Sequence, residues 1–443
     1  MSPSHYQIVA SAVLGLTLQC STAAAVEANF ELNAEYNMAY GSEVNRMDQA
    51  ELNLQPKLEL QLNAQTELTL STRLRWNNTE HIVGERRALE TYTQGSRPWQ
   101  QGDFSIELRD AYVERSLGNA HLRIGKQQIV WGALDGLKLL DAVNPQDFRE
   151  FILDDFDESR ISQWAVQVEV PLAGGYLELA LVPDTSVHEL PAADAKFAFT
   201  AERFRFGLPA ASVSNSTLEQ RTRRSNDAVK DGTYALRYSR FTGGWDLAAS
   251  VVTGPDHTPV AELLPGPSGD RVLERQYRDR TIVGFSAEKS YGSIALRTEL
   301  AARPDRAFNR STADSRVIEV IERDQYSAAL AMDWQAPADF FINLQLLHER
   351  IHNHDRALAT PKADTLATAL IRRNFRYDTL TTELRWYGNL NDDDGLIRPS
   401  IAWQIGDNTR LRLGADLFYG NRNGLFGQFA DADQYTLTLQ QVF

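Results

Sequence analysis

Cysteine, long apolar runs and net positive charge are nearly absent from this chain, and each absence excludes a class of protein. Cys20 is the only cysteine among 443 residues, and it lies in a predicted signal peptide. A mature chain without cysteine has no disulfide framework and no thiol chemistry. Beyond the signal, no run reaches the roughly 18 apolar residues that a transmembrane helix needs. The formal charge of −14 also makes nucleic acid an unfavourable partner.

Residues 1–25 have the pattern of a secretory signal peptide. An apolar run from Ile8 to Leu18 is followed by three alanines, which predicts cleavage near Ala25. A lipoprotein signal at Cys20 is the weaker alternative, because Gln19 stands where a small residue is needed. No linker or composition shift divides the remainder, so we expect residues 26–443 to form one domain.

Apolar and polar residues alternate along nearly all of that domain. Period two over about ten residues, repeated this often, is typical of membrane-spanning β-strands. The sequence therefore predicts an all-β fold, a transmembrane antiparallel β-barrel of about 18 strands. A soluble β-sandwich or propeller is the alternative. The apolar positions are Phe30, Leu32, Ala34, Tyr36, Met38 and Tyr40 in an early case, and Leu411, Leu413, Ala415, Leu417 and Tyr419 in a late one.

Short turns and long connections also alternate along the chain, as they do between the two rims of a bacterial barrel. Tight turns are expected near Gly118-Asn119, Gly243-Gly244 and Ala336–Asp339, among others. The long connections are expected at about 77–102, 132–160, 184–231, 254–275, 303–316, 352–364 and 421–432.

The last predicted strand carries a further indication. Tyr435, Leu437, Leu439 and Phe443 share one face, and the terminal aromatic residue resembles the assembly signal of bacterial outer-membrane barrels. That resemblance implies the bacterial outer membrane as the location. It also implies the barrel assembly machinery, outer-membrane lipids and lipopolysaccharide as partners.

The alternation stops after Trp131. Asn144-Pro145 is a turn and helix-start signal, and apolar residues follow it at near-helical spacing. A long connection is either solvated or folded inward, and the apolar residues argue against solvation. We therefore expect residues 132–160 to fold into the lumen, with a short helix between Gln146 and Phe156, and to constrict the pore. The polar residues expected at this constriction are Asp141, Asn144, Asp147, Asp154, Asp155, Asp157 and Arg160.

Arginines on the predicted strands have the parity of the lumen side. Arginine walls that face an acidic insert would set a transverse field, which selects solutes by charge and dipole. The alternative is that these arginines only neutralise the insert and hold it in place. Four of them lie on three consecutive strands (Arg73, Arg75, Arg109 and Arg123) and six on four later strands (Arg372, Arg376, Arg385, Arg398, Arg410 and Arg412).

The run GKQQIVWG…DAVNPQDFREFILDDFDESRI, between Gly125 and Ile161, resembles the signature of an uncharacterised Gram-negative outer-membrane β-barrel family, a domain of unknown function. That family is similar to alginate-export-type barrels, which are also described as 18-stranded, and to porin-like barrels. The resemblance is strong over residues 122–170. It implies a channel or export role, with an inner-membrane export pump as partner and lipid or hydrophobic cargo. It fixes no substrate, and no run matches an alginate-binding pore.

Motifs for catalysis or cofactor binding do not stand out. There is no glycine-rich phosphate loop, no dinucleotide fingerprint and no nucleophile motif. His352, His354 and Asp355 could bind a metal weakly, but an ordinary polar loop is favoured there. We expect no enzyme activity, no cofactor and no metal.

These observations predict a porin-like outer-membrane channel that passes solutes or an exported molecule. An export or lipid-handling barrel that works with an inner-membrane pump would line part of its lumen with apolar residues. A surface enzyme would bring Ser, His and an acid, or two acids, together at the outer rim. A closed barrel would serve as a receptor or an anchor.

Overall fold

The computed structural model of this chain describes residues 27–79, 91–207, 218–223, 227–265, 271–311 and 318–443. The predicted signal peptide, its cleavage near Ala25 and Cys20 lie outside the described residues. Within those ranges, no helix has the length and apolar character needed to cross a membrane. The helical segments described there are two single 3-10 turns, Glu202–Phe204 and Gly427–Phe429.

Strands make up most of the described chain. In chain order they are β1 (Glu27–Gly41), β2 (Arg46–Asn63), β3 (Thr66–Asn77), β4 (Trp99–Gln101), β5 (Phe104–Leu117), β6 (Ala120–Gln127), β7 (Gln163–Leu172), β8 (Gly175–Val182), β9 (Leu218–Arg223), β10 (Thr233–Thr242), β11 (Trp245–Pro255), β12 (Val260–Pro265), β13 (Arg271–Gln276), β14 (Asp279–Tyr291), β15 (Ile294–Ser311), β16 (Ile318–Ala336), β17 (Phe340–Ile351), β18 (Ala363–Phe375), β19 (Leu380–Asn389), β20 (Asp394–Gln404), β21 (Thr409–Tyr419) and β22 (Gln434–Val442). β4 pairs only with β5, and β9, β12 and β13 form a separate three-stranded sheet.

The other 18 strands form one closed antiparallel barrel, which confirms the predicted fold. Closure occurs at β1, which pairs with β2 on one side and with β22 on the other. Two backbone hydrogen bonds of 3.1 and 2.9 Å between Leu32 and Phe443 fix the end of the chain to β1. The apolar outward residues of β22, interrupted only by Gln441, are those of the predicted assembly signal, and their role in assembly stays a prediction. They are Tyr435, Leu437, Leu439 and, just after the strand, Phe443.

The outer face of the barrel is apolar and the inner face is polar. Outward Leu330 and Leu413 keep 61% and 47% of their surface exposed, whereas inward Glu107 and Gln345 keep 5% each. A dry β-sandwich would show the reverse distribution. The alternation in the sequence therefore belongs to a barrel whose outside suits an apolar solvent.

Tight turns and longer connections alternate from strand to strand, as predicted. Gly243 and Gly244, between β10 and β11, have φ of +59° and +79°, a backbone region that glycine enters without strain. The expected long connection at 303–316 is wrong over much of its length, because β15 continues to Ser311 in register with β16. A bulge between Arg303 and Arg306 interrupts the alternation there, and the polar run resembled a loop.

Candidate functional site: an insert between two charged walls

The connection between β6 and β7, residues 128–162, folds into the barrel and is here named the lumen insert. It reaches opposite sides of the wall. Glu299 of β15 accepts a hydrogen bond from the Ala133 N–H at 2.5 Å, and Gln55 of β2 donates to the Glu158 carboxylate at 3.0 Å. We name residues 129–143 the apolar arm and residues 144–162 the acidic arm. The inward fold agrees with the prediction from the sequence.

The predicted helix between Gln146 and Phe156 is wrong, because this part of the insert is built from turns. Phe151 has φ of +55°, which lies outside the helical region. The Asp147 N–H donates to the Ser159 carbonyl at 2.7 Å, across the arm rather than along it. The near-helical spacing instead serves separate contacts, since the Phe151 ring packs 4.8 Å from the ring of Phe429 beside β22.

The apolar arm packs on a wall of mostly small side chains. Gly284 of β14 shows how close the approach is, because a Cβ there would lie 2.6 Å from a methyl group of Leu140. Burying a Leu or Ile side chain in this way contributes about 1.5–3 kcal/mol. The cluster joins Ile129, Trp131, Leu134, Leu137, Leu139, Leu140 and Val143 of the arm to Ala165, Ala180, Val182, Ala235, Val252, Ile282, Ala301, Ala329, Ala331 and Leu347 of the wall.

Inward polar residues on the same wall satisfy the backbone of the apolar arm. Glu299 also accepts the Leu140 N–H at 3.1 Å, while Arg297 donates to the Ala133 carbonyl at 2.7 Å and Arg280 to the Ala142 carbonyl at 2.7 Å. Buried backbone groups without partners would cost about 1–3 kcal/mol each. These wall residues were missed from the sequence, although their inward parity on β14 and β15 was a usable signal.

The acidic arm is held by charges on β3 and β5. Arg73 pairs with Glu107 at 2.6 Å and with Glu158 of the arm at 3.2 Å. Arg75 pairs with Asp154 at 3.4 Å, and Arg109 donates to the Arg160 carbonyl at 2.8 Å. These three arginines therefore contact the insert or its carboxylates, as the neutralising alternative expects, and their role in selectivity stays a prediction. Arg123 also lies inward but pairs with Glu114 of β5, its cross-strand neighbour.

Most residues expected at the constriction serve as internal braces of the lumen insert. Arg160 joins Asp141 at 2.7 Å and Asp157 at 2.5 Å. Asn144 accepts the Ile129 N–H at 2.7 Å and donates to the Ile161 carbonyl at 2.9 Å, which ties the two arms together. Asp147 pairs with Arg149 and Asp154 with Arg75, so Asp155 is the residue of the predicted set whose carboxylate is exposed and has no ion pair among the described residues.

Burial shifts the protonation of several groups in the insert. Burial and the nearby carboxylates of Asp154 and Glu51 raise the pKa of Glu150 to about 8. Burial lowers the pKa of Lys138 to about 8. Burial alone would raise the pKa of Asp147, but the Arg149 guanidinium outweighs it and holds that pKa below its ordinary value. The acidic arm therefore contains one carboxyl group with a raised pKa, Glu150, and one with a lowered pKa, Asp147, so their contributions to stability change with pH in opposite directions.

Some inward arginines on β18–β21 form ion pairs with wall carboxylates, and others do not. Arg372 and Arg385 both contact Glu383, at 2.8 and 2.9 Å, and Arg398 pairs with Asp416 at 2.6 Å. Arg410 and Arg412 of β21 form no ion pair within the described ranges. Arg376 was expected to point inward, but it lies in the turn between β18 and β19 with φ of +53°.

Charges of opposite sign without ion pairs lie close together on one part of the lumen wall, because Glu35 of β1 and Arg410 of β21 are both opposite Gln440 of β22. Glu35 of β1 has hydrogen-bonding neighbours in Asn33 and Asn37 but no cationic partner in the described chain. Asp155 lies close enough to act electrostatically on both Glu35 and Arg410. We name Glu35, Asp155, Arg410 and Arg412 the constriction charges.

A second connection covers the insert from the outer end. Residues 183–207 leave β8 and cross the barrel, where Glu189 exchanges backbone hydrogen bonds with Gln146 and Phe148 at 2.9 and 2.8 Å. Lys196 then pairs with Asp48 of β2 at 2.7 Å. An aromatic cluster closes this side, formed by Phe151, Phe197, Phe418, Phe426 and Phe429.

Metal-binding groups do not converge in the described part of the chain, where no three His, Cys, Asp or Glu side chains come together. His348 lies on the outer face of β17 and bonds to the Thr365 hydroxyl at 3.0 Å. The ring of His354 contacts the Thr360 carbonyl at 2.9 Å.

A closed barrel with an apolar outside, a charged lumen and an inward connection defines the porin-like class of outer-membrane barrels. The chain belongs to a family described as proteins of unknown function (DUF1302), whose model matches residues 43–443. Its fold is similar to those of OccAB2 from Acinetobacter baumannii (TM-score 0.53, 10% identity, 94% of this chain and 98% of that one) and OccAB1 from the same organism (0.51, 8%, 94% and 96%). OpdK of Pseudomonas aeruginosa, crystallised with vanillate, is similar at TM-score 0.50 (9%, 94% and 98%). No curated protein matches the chain.

Proposed function

We propose that this protein is a passive outer-membrane channel for small water-soluble solutes and that it carries out no catalysis. The observation that supports this most is the set of constriction charges. Glu35 of β1 and Arg410 of β21 are both opposite Gln440 of β22, and Asp155 of the insert acts on both. These charges and Arg412 have no ion-pair partner in the described chain. Ion-paired charges elsewhere in the lumen are stabilised by each other, whereas charges without a partner need contact with water or a solute. Unpaired charges of opposite sign in one place are therefore best explained by a water-filled path beside them.

Location and partners follow from the outer surface. The exposed apolar band requires lipid around it, so the barrel lies in the outer membrane with lipid and lipopolysaccharide as neighbours. The exposed outward aromatics of β22 would be recognised by the barrel assembly machinery. Both statements are part of the proposal.

The lumen insert sets the width of the path. An 18-stranded barrel leaves an aqueous channel unless connections fill it. Here the apolar arm fills the side of β7–β17, so a water-filled path would run on the side of β18–β22 and β1. A solute there crosses the field between carboxylates and guanidinium groups, and its charge and dipole decide how easily it passes.

The test is conductance of the purified mature protein in planar bilayers. We expect discrete channels in the wild type, a reversal potential shifted toward anion selectivity in Asp155→Asn, and the opposite shift in Arg410→Gln/Arg412→Gln. Asp407→Asn, in an exposed turn between β20 and β21, is the matched control and should leave selectivity unchanged. Equal reversal potentials in all four proteins would rule out the constriction charges as the filter.

An export barrel that works with an inner-membrane pump is the second candidate, and the cover formed by residues 183–207 favours it. Apolar residues do occur on the inner wall, as that candidate requires, but the apolar arm occupies them. This candidate predicts a silent wild type that conducts once the acidic arm is released by Arg73→Gln/Arg75→Gln. A wild type that conducts unaided would exclude it.

A further inference from the structure

Three arginines below the insert keep donor groups free. Arg410 and Arg412 have no ion pair or side-chain hydrogen bond with any described residue. Arg372 binds Glu383 through Nε and Nη2, at 2.9 and 2.8 Å, while no hydrogen bond is made by its Nη1 within the described chain. Its side chain is 40% exposed. A guanidinium group has five N–H donors, so each of these residues can bind another acceptor.

The strand register brings the three side chains toward the same part of the lumen. Arg372 is opposite Glu383, Glu383 is opposite Ser400, and Ser400 is opposite Gly414. Arg412 and Arg410 lie two and four residues from Gly414 with the same inward parity, about 7 Å apart along β21. Arg412 and Arg372 are accordingly the first two charges that act on Arg410.

A cavity of about 700 Å³ adjoins this group at the rim formed by the tight turns. Its lumen side is lined by Arg372, Asn374, Gln335 and Phe341, and the Arg372 guanidinium lies over the Phe341 ring at 5.7 Å. The turns at its rim add the carboxylates of Asp339 and Asp378. The cavity therefore attracts a negative group only at its arginine end and offers an aromatic face beside it.

We propose that Arg372, Arg410 and Arg412 form a binding site for an oxyanion, and that a small organic carboxylate fits it best, with its apolar part in the Phe341 cavity. Arg410 and Arg412 have no paired carboxylate in the described chain, and Arg372 shares Glu383 with Arg385, so the group carries excess positive charge. An oxyanion reduces the resulting repulsion and accepts several N–H groups. The inference deepens the proposed channel function, because it names the class of solute that passes the constriction charges.

The test measures binding directly and so does not depend on conduction. Benzoate, benzyl alcohol and inorganic phosphate are titrated into the detergent-solubilised barrel by calorimetry. We expect benzoate to bind the wild type, benzyl alcohol not to bind, and phosphate to bind more weakly than benzoate. Arg410→Gln/Arg412→Gln and Arg372→Gln should each weaken benzoate binding by about tenfold or more, since each loses charge-assisted hydrogen bonds. Arg410→Lys/Arg412→Lys should keep part of the affinity.

Arg376→Gln, in the turn after β18, is the matched control and should bind benzoate as the wild type does. Circular dichroism and heat-modified gel mobility show that each variant is folded. Benzoate binding that is equal in all variants, or absent in the wild type, would overturn the site. Phosphate binding at least as tight as benzoate binding would overturn the role of the Phe341 cavity. Benzoate binding in a barrel that never conducts would leave this site standing and remove the channel proposal.

Discussion

The two arms of the lumen insert meet the barrel wall by different forces. The apolar arm buries Leu and Ile side chains against alanines and valines of β7–β17, and inward Glu299 and Arg280 satisfy its backbone. The acidic arm packs Phe151 into the aromatic cluster at one end, and the rest of it is tied to β3 and β5 by ion pairs. Apolar contacts carry no charge that pH can change or salt can screen, whereas ion pairs respond to both. The acidic arm is therefore the part of the insert that a change of salt or pH can release.

The largest effect is expected where a buried charge loses its partner. Arg73 is 2% exposed and bridges Glu107 and Glu158. Arg73→Gln leaves the buried Glu107 carboxylate with only Arg109 and the more weakly acting Lys126 as cationic neighbours, which costs about 3 kcal/mol or more. Denaturant unfolding in detergent measures this loss, and limited proteolysis should show faster cleavage within residues 147–159.

The double variant Arg73→Gln/Glu107→Gln separates charge from packing. It removes both members of the pair, so we expect it to regain much of the lost stability. If the double variant is as unstable as Arg73→Gln, the acidic arm is held by packing and the comparison between the arms fails.

A smaller loss is expected from the apolar arm. Leu139 is 1% exposed within the apolar cluster, and Leu139→Ala leaves a cavity that costs about 2–3 kcal/mol. This loss should be the same at low and high salt, in contrast to that of Arg73→Gln. Leu390→Ala is the matched control, because Leu390 is 53% exposed in the connection between β19 and β20. A salt-dependent loss for Leu139→Ala would mean that the two arms are not held independently.

The two arms also differ in how much of their structure could be predicted from the sequence. Period two placed Arg73, Arg75 and Arg410 inward because the pleat fixes the direction of every second side chain. The period-two pattern could not show that Arg73 is ion-paired and Arg410 is not, because pairing depends on the path of the insert. No repeating pattern in the sequence indicates that path. The insert is held by contacts with distant strands, such as Glu299 with Leu140, and its Phe151 adopts a conformation that no local pattern indicates.

The acidic arm should also respond to pH through Glu150. Its pKa is raised from 4.5 to about 8, so the folded protein keeps a proton that the unfolded chain loses. Stability therefore falls as pH rises from about 4.5 to about 8, and is constant outside that window as far as this group is concerned. Proteolysis of the acidic arm should be faster at pH 8 than at pH 6.

Glu150→Gln should remove that pH dependence, because an amide cannot ionise. Asp147 has the opposite sign, since its pKa is lowered and its contribution is lost only as pH falls below the ordinary range of Asp. A pH 6–8 trend that persists in Glu150→Gln would assign the response to another group. Lys138 is not that group, because its lowered pKa of about 8 makes stability rise with pH, and only between about 8 and 10.5.

The smallest effect is expected at Arg123, which has the same inward parity as Arg73 but no contact with the insert among the described residues. Its side chain is 31% exposed and pairs with Glu114 on the neighbouring strand. An accessible ion pair of this kind contributes about 0.2–1 kcal/mol, and salt screens it. Arg123→Gln should therefore unfold almost as the wild type does, with unchanged proteolysis of the acidic arm. A loss as large as that of Arg73→Gln would show that inward position alone, rather than contact with the insert, determines how much a lumen arginine stabilises this barrel.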